Sequence, residues 1–233
     1  LGAATITRQQ SLLPFPYYQT IQVRSPRMSH YSSHLLIISV EKRMSKGFTA
    51  MFNFTGGKVM SEGMNSPVDF GSVEQTNEFG YQDSKFNRRL DRSVDPTDVS
   101  KRAVVSLLYE LPFGKGPGAI NKVIGGWQVN SIGIMQTGLP VLIRGANNFL
   151  ASRPNSTGEP AKLSNPSAGR WFNTDVFVNP ANFTYGNIGR TLPDVRGPGT
   201  FNWDLSFIKN THLTERFNLQ FRAEMFNFLN SVN

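Results

Sequence analysis

From Phe201 to Asn230 the chain alternates. Phe201, Trp203, Leu205 and Phe207 share one parity, with Asn202, Asp204 and Ser206 on the other. Phe217, Leu219, Phe221, Ala223 and Met225 then alternate with Asn218, Gln220, Arg222 and Glu224. A strand turns successive side chains to opposite faces, so each arm reads as a half-apolar, half-polar strand. The polar residues Asn210, Thr211, Thr214 and Glu215 between the arms predict the turn of an antiparallel hairpin. Each arm is about ten residues long, the length of a tilted strand that crosses a bilayer. Phe201, Trp203, Phe226 and Phe228 gather toward one end and Phe207 and Phe217 toward the other, as aromatic girdles do at two water interfaces. A water-soluble sandwich alternates too, so the hairpin alone leaves both readings open.

The same rhythm recurs upstream. Tyr17–Arg24 reads as a strand, followed by Tyr31–Arg43, where Leu36, Ile38 and Val40 share a face. The turn Met44–Gly47 leads into Phe48, Ala50, Phe52 and Phe54, and Ala103, Val105, Leu107, Tyr109 and Leu111 follow after a long interval. A strand opening at Trp127 runs through Gln136 and, past a bend at Gly138 and Pro140, to Val141–Ile143. Counting the closing hairpin, the pattern predicts about seven strands. Their connections are sorted by length. Met44–Gly47, Pro112–Val123 and Asn210–Glu215 are short to medium and fall at one end. The intervals 56–100 and 144–200 are long, lack periodicity and fall at the other. Brief turns at one end and extended loops at the other are the arrangement of an outer-membrane barrel, and a soluble sandwich has no reason for that sorting.

Composition narrows the picture. Hydrophobic content is 39% and mean hydropathy is -0.30. The longest apolar run, Leu35–Ile38, falls far short of the roughly 18–20 residues of a spanning helix. Spanning strands escape that objection because only alternate residues meet lipid. With no Cys there is neither a disulfide framework nor a thiolate metal site. The formal charge of +8 is scattered along the chain rather than gathered in a stripe, so nucleic acid is not an expected partner. A start Met and an export signal are absent from the first residues, and an odd strand count would leave an unpaired edge, which together lead us to expect a fragment.

Four stretches carry a family resemblance: LDRSVDPTDVSKRAVVSLLYELPFGKG, GGWQVNSIGIMQTGLPV, RWFNTDVFVNPANFTYGNIGRTLPDVRGPGTFNWDLS and LQFRAEMFNFLN. As a set they resemble the C-terminal barrel region of TonB-dependent outer-membrane receptors, the Oar-like group with a carboxypeptidase-regulatory-like domain at its start. The likeness extends over roughly Ser29 to Asn233. It implies an all-β, antiparallel up-and-down meander, about seven strands of a transmembrane barrel of about 22. It further implies residence in the bacterial outer membrane and import of an extracellular substrate energised by the TonB complex. The plug domain and TonB box of that family are not found within residues 1–233, which read as one partial barrel domain. The rival expectations are a soluble all-β module for carbohydrate or peptide, and an outer-membrane adhesion or structural barrel without transport.

No nucleophile, base and carboxylate are brought together by spacing, so an enzyme is not expected, nor a cofactor. His30, His34 and His212 have no ligand spacing, and Gly114-Lys115-Gly116 lacks the spacing of a phosphate loop. Asp91, Asp95 and Asp98 stand near Arg92, Lys101 and Arg102, a grouping expected to form a solvated rim network more often than an ion clamp. Asp204, Gln220, Arg222 and Glu224 are expected to face the barrel lumen. In the second long loop Phe149, Trp171, Phe172, Phe177, Phe183 and Tyr185 are candidates for substrate contact, because loop aromatics give rigid contact area; they serve equally well to fold the loop on itself. Leu219 and Phe221 are placed at the bilayer midplane, where Arg at either is expected to cost about 2–4 kcal/mol, whereas changes at Gln220 are expected to be mild.

Overall fold

The computed structural model describes residues 5–12, 15–18, 30–62, 88–114, 116, 118–143, 145, 153–214 and 216–232. After a single helical turn, α1 (Arg8–Ser11), come β1 (Tyr31–Ser45), β2 (Phe48–Ser61), a 3-10 turn (Arg88–Asp91), β3 (Ser93–Val94) and β4 (Lys101–Glu110). A short helix α2 (Ala119–Ile124) precedes β5 (Trp127–Gln136). Four small strands follow, β6 (Asn155–Ser156), β7 (Lys162–Ser167), β8 (Arg170–Phe172) and β9 (Phe177–Val178), and then β10 (Thr200–His212) and β11 (Asn218–Met225). The main sheet has seven strands in the order β1-β2-β4-β5-β10-β11, with β3 pairing the end of β2. The fold is the all-β antiparallel meander that the alternation predicts. Most of the Tyr17–Arg24 strand lies outside the described residues, and Tyr17 and Tyr18 themselves are not in strand.

Register explains why the alternation was readable. In β10, Trp203, Leu205, Phe207 and Lys209 pair with Gly133, Ser131, Val129 and Trp127 of β5. Phe52 and Phe54 of β2 pair with Val105 and Ala103 of β4. Directly paired residues share a face, so one side of the sheet collects the aromatics and aliphatics. Lys46 (φ 52) and Gly47 (φ 77) form the two-residue turn between β1 and β2. Both central residues of this tight hairpin are left-handed, the turn that matches strand twist. At Gly133 a Cβ would run into the Trp203 ring. The missing side chain lets the indole lie across β5, where its Nε1–H donates to Ser131 Oγ at 2.6 Å.

The chain divides into two compact units. The strand unit is His34–Lys58, Val99–Leu139 and Gly197–Asn233; the loop unit is Leu1–Ser33, Val59–Asp98 and Pro140–Arg196. The loop unit shows structure in an interval where the sequence has no period. Its second long loop carries two small sheets, β6-β9 and β7-β8. Ala161, Val176, Leu192 and Val195 are buried there, with Val141, Ile143, Phe172 and Phe177 packed against them. Val141 and Ile143 therefore do not prolong β5, which ends at Gln136.

Two further boundaries differ from the pattern. Asn210 and Thr211 belong to β10, paired with Gln220 and Leu219, so the turn comes later, around Leu213–Phe217. At the other end β11 stops at Met225. Phe226 and Phe228 lie in a turn beyond it, where Asn227 N–H donates to Asp204 Oδ1 at 2.8 Å and Phe228 N–H to the Trp203 carbonyl at 2.7 Å. Asp204 draws the chain off the ladder by offering a carboxylate where a strand would need a backbone partner.

Candidate functional site

The polar face of the strand unit is built by register alone. Ser206 stands between Asn130 and Glu224, Ile208 between Gln128 and Arg222, and Asn210 faces Gln220. Asp204 shares this parity, so the four residues singled out on the closing hairpin (Asp204, Gln220, Arg222 and Glu224) lie on one face. Three of them are linked into a chain: Gln220 Nε2 donates to Asn210 Oδ1 at 2.9 Å, and the Arg222 guanidinium reaches Gln220 Oε1 and Glu224 Oε1, each at 3.4 Å. Asp204 accepts from Asn202 Nδ2 at 2.9 Å as well as from the Asn227 turn. A cavity of about 190 Å³ opens among Asn130, Asp204, Ser206, Glu224 and Phe226, and the Asn130 Oδ1 is buried there without a hydrogen-bond partner. The face is less polar across β4 and β5, where Val104, Leu108, Ile132 and Ile134 share its parity. The opposite face is apolar and exposed: Phe52 at 38%, Met135 at 37%, Phe221 at 56%.

The loop unit is organised by buried charge. Asp91 is 0% exposed and Arg153 2%, and Arg153 Nη2 donates to Asp91 Oδ1 at 2.8 Å. Arg190, also buried, donates through Nε to the Asp91 carbonyl at 2.9 Å and through Nη2 to Ser61 Oγ at 2.6 Å. Thr191 Oγ1 donates to the Val94 carbonyl at 2.6 Å. Asp95 Oδ1 accepts from the backbone and side chain of Thr97 at 2.9 and 2.6 Å, closing an Asx turn. Asp98 Oδ1 accepts the Val59 N–H at 2.7 Å, while its other oxygen pairs with Arg196 Nη2. Arg196 Nη1 also donates to the Asp98 carbonyl at 2.7 Å.

This arrangement differs from the solvated rim expected of the three aspartates. They are buried, and the ion partners of Asp91 and Asp98 are Arg153 and Arg196 rather than Arg92, Lys101 or Arg102. Pairing residues some sixty to a hundred positions apart leaves no spacing signal. The one trace in the sequence is that Arg153, Arg190 and Arg196 each stand in runs rich in Gly, Pro and Asn, where a lone guanidinium has few local partners. At the unit's margin Glu62 takes His30 Nδ1 at 2.9 Å and Arg92 Nη1 at 3.5 Å.

The loop aromatics divide by role. Phe172 and Phe177 meet edge to face, ring centroids 6.3 Å apart, against the buried cluster. Trp171 Nε1–H donates to the Arg196 carbonyl at 2.6 Å, leaving its ring at the surface. Phe183, held at φ 62, stacks under the Arg8 guanidinium at 4.9 Å. Tyr185 is 45% exposed. Phe149 lies outside the described residues. Among the described residues no cluster of three or more His, Asp or Glu is disposed to hold a metal.

Over residues 1–233 the chain matches the family described as outer membrane beta barrel domain. No curated protein and no solved structure matches it.

Proposed function

Since the chain belongs to the outer membrane beta barrel domain family and resides in the bacterial outer membrane, we propose that it is part of a TonB-dependent transporter of the Oar-like type. In this reading it imports an extracellular substrate by binding and gating rather than by bond chemistry. Its partners are outer-membrane lipid on the apolar face, the TonB complex through other parts of the protein, and a substrate met at the long-loop end. The observation that carries the reading is the fold of the long loops. An outer loop with its own hydrophobic cluster and buried ion pairs is a built binding platform, not a tether between strands. The four resembling stretches, which span both units, supply the link to the TonB-dependent class.

On this reading Trp171, Phe183 and Tyr185 contact substrate, while Phe172 and Phe177 hold the platform in shape. Asp204, Gln220, Arg222 and Glu224 line the water-filled interior and face a plug. The test is capture of the purified TonB C-terminal domain by the full-length protein in detergent, with uptake compared in cells having and lacking TonB. Binding together with TonB-dependent uptake supports the transporter. Ligand or surface adhesion that is indifferent to TonB would replace it with an adhesion barrel.

A further inference from the structure

We propose that α2 is a membrane-surface anchor, lying on the outside of the barrel in the phospholipid leaflet at the short-turn end. The starting point is Lys209. It pairs with Trp127 on one side and Phe221 on the other, which places it on the same face as Trp203 and Phe207, the apolar face. Its Nζ donates to the carbonyls of Val123 and Gly125, both at 2.7 Å, and stands 5.3 Å from the centre of the Trp127 ring. These are carbonyls that a helix leaves without intrahelical partners at its C-terminus, and a cation is favoured there. A side chain rooted on the apolar face can reach them only if that end of α2 is folded toward the apolar face. The C-terminal end of α2 is therefore drawn outward, away from the lumen.

The residues that α2 leaves uncovered fit that location. Ile120 is 75% exposed, Val123 67% and Ile124 45%, spaced i, i+3 and i+4 so that they form one stripe. Phe113, 58% exposed, stands on the approach to the helix. In water these side chains would be an apolar patch without a purpose. Here the patch continues a surface that already meets lipid, since Trp127 and Phe221 lie edge to face at 6.4 Å beside the tether. The Lys209 amine fixes the depth. A charged group is tolerated at the headgroup boundary but not in the hydrocarbon, so the stripe dips about 5–10 Å, as interfacial helices do. The short turns of such barrels are periplasmic, so the leaflet is the periplasmic one. The inference rests on the barrel and its orientation alone, and stands whether or not the protein is driven by TonB.

Nitroxide labels provide the test; residues 1–233 contain no Cys, and any Cys elsewhere in the protein is first replaced by Ser. Full-length protein carrying Ile120→Cys or Ile124→Cys is labelled and reconstituted in vesicles of phosphatidylethanolamine and phosphatidylglycerol. Lys46→Cys in the β1–β2 turn is the water reference. Heat-modifiable migration certifies an intact barrel in each variant. The expected result is that oxygen relaxes the α2 labels severalfold more than a water-soluble nickel chelate, with the reverse order at position 46. Chelate access at 120 and 124 equal to that at 46 would overturn the proposal. Exclusion of both reagents would overturn it too, since a protein and not lipid would then cover the stripe. Lys209→Met is expected to release a label at position 124 into water without changing migration. Retained lipid contact in that variant would overturn the tether.

Discussion

The two units of this chain obey opposite rules about what to hide. In the strand unit many large apolar side chains are exposed, and Ile208 is its one buried apolar residue among those described. In the loop unit Val176, Leu192 and Val195 are covered, and so are Asp91, Arg153 and Arg190. The first pattern is stable only if something apolar covers it, which the bilayer does. The second is how a small domain holds itself together in water, with its buried charges hydrogen-bonded or ion-paired. Sequence, fold and location thus connect through one quantity, the environment on each side of a side chain. The difference teaches that the loop unit has a buried cluster and ion pairs of its own, so a change inside it is expected to act on that unit first.

Disrupting one of those pairs should produce the largest effect. Asp91→Ala breaks the ion pair with the Arg153 guanidinium, whose side chain is 2% exposed, and is expected to cost the loop unit about 3–5 kcal/mol. Limited proteolysis should show the long loops cleaved rapidly while heat-modifiable migration stays normal. The double change Asp91→Leu with Arg153→Met should recover much of the loss, because both buried charges of the pair are then replaced by apolar side chains. Simultaneous loss of barrel migration in Asp91→Ala would show that the two units are not energetically separate.

The matching change in the strand unit is Val105→Arg. Val105 is near the middle of β4, paired with Phe52 and Gly133 on the apolar face. Arg at the hydrocarbon midplane is expected to cost about 2–4 kcal/mol, against a mild effect for the neighbouring Ser106→Arg on the other face. Denaturant unfolding of the full-length protein in bilayers measures both. Equal tolerance would mean that this face does not contact lipid.

Much of the strand unit was legible because its rule is local. Period two survives in Phe52, Phe54, Val105, Trp203 and Phe221 whatever their partners are, and a tight turn such as Lys46-Gly47 needs only its own residues. What could not be read was set by contacts between distant residues. Nothing near Asp91 announces Arg153, and Val141 and Ile143 carry the same alternation whether they extend a strand or plug a loop core. The departure of β11 at Met225 depends on Asp204, a residue of the other arm. The polar face offered its hairpin residues to the sequence but not Asn130, whose placement beside Ser206 is a matter of register. The helix α2 was lost in a link rich in Gly and Pro, too short to show a period.

Gly133→Ala sharpens the comparison from inside the apolar face. The new methyl displaces the Trp203 indole and its 2.6 Å bond to Ser131, and a cost of about 1–3 kcal/mol is expected. The shift should appear as a change in Trp emission together with the lowered unfolding midpoint. An unchanged emission would mean that the indole does not lie across β5. In the loop unit Trp171→Phe removes one N–H bond to the Arg196 carbonyl, with an expected loss of about 0.5–1.5 kcal/mol in proteolytic protection of the loop.

The smallest effect is the one that fixes depth. The alternation alone would put Phe221 at the midplane and make Phe221→Arg as damaging as Val105→Arg. Register puts Phe221 beside Lys209, with Leu219 beside Thr211, close to the Leu213–Phe217 turn. A lysine already occupies that level of the apolar face, and its amine finds carbonyls and an aromatic ring there. An arginine at Phe221 can extend toward the same headgroup layer, so its cost is expected to be about 0–1 kcal/mol. The two substitutions share a face and differ only in height, so the ratio of their effects measures the bilayer's position on the sheet. If Phe221→Arg proves as costly as Val105→Arg, the hydrocarbon reaches down to Lys209. The α2 stripe would then lie deeper than the headgroup boundary assigned to it.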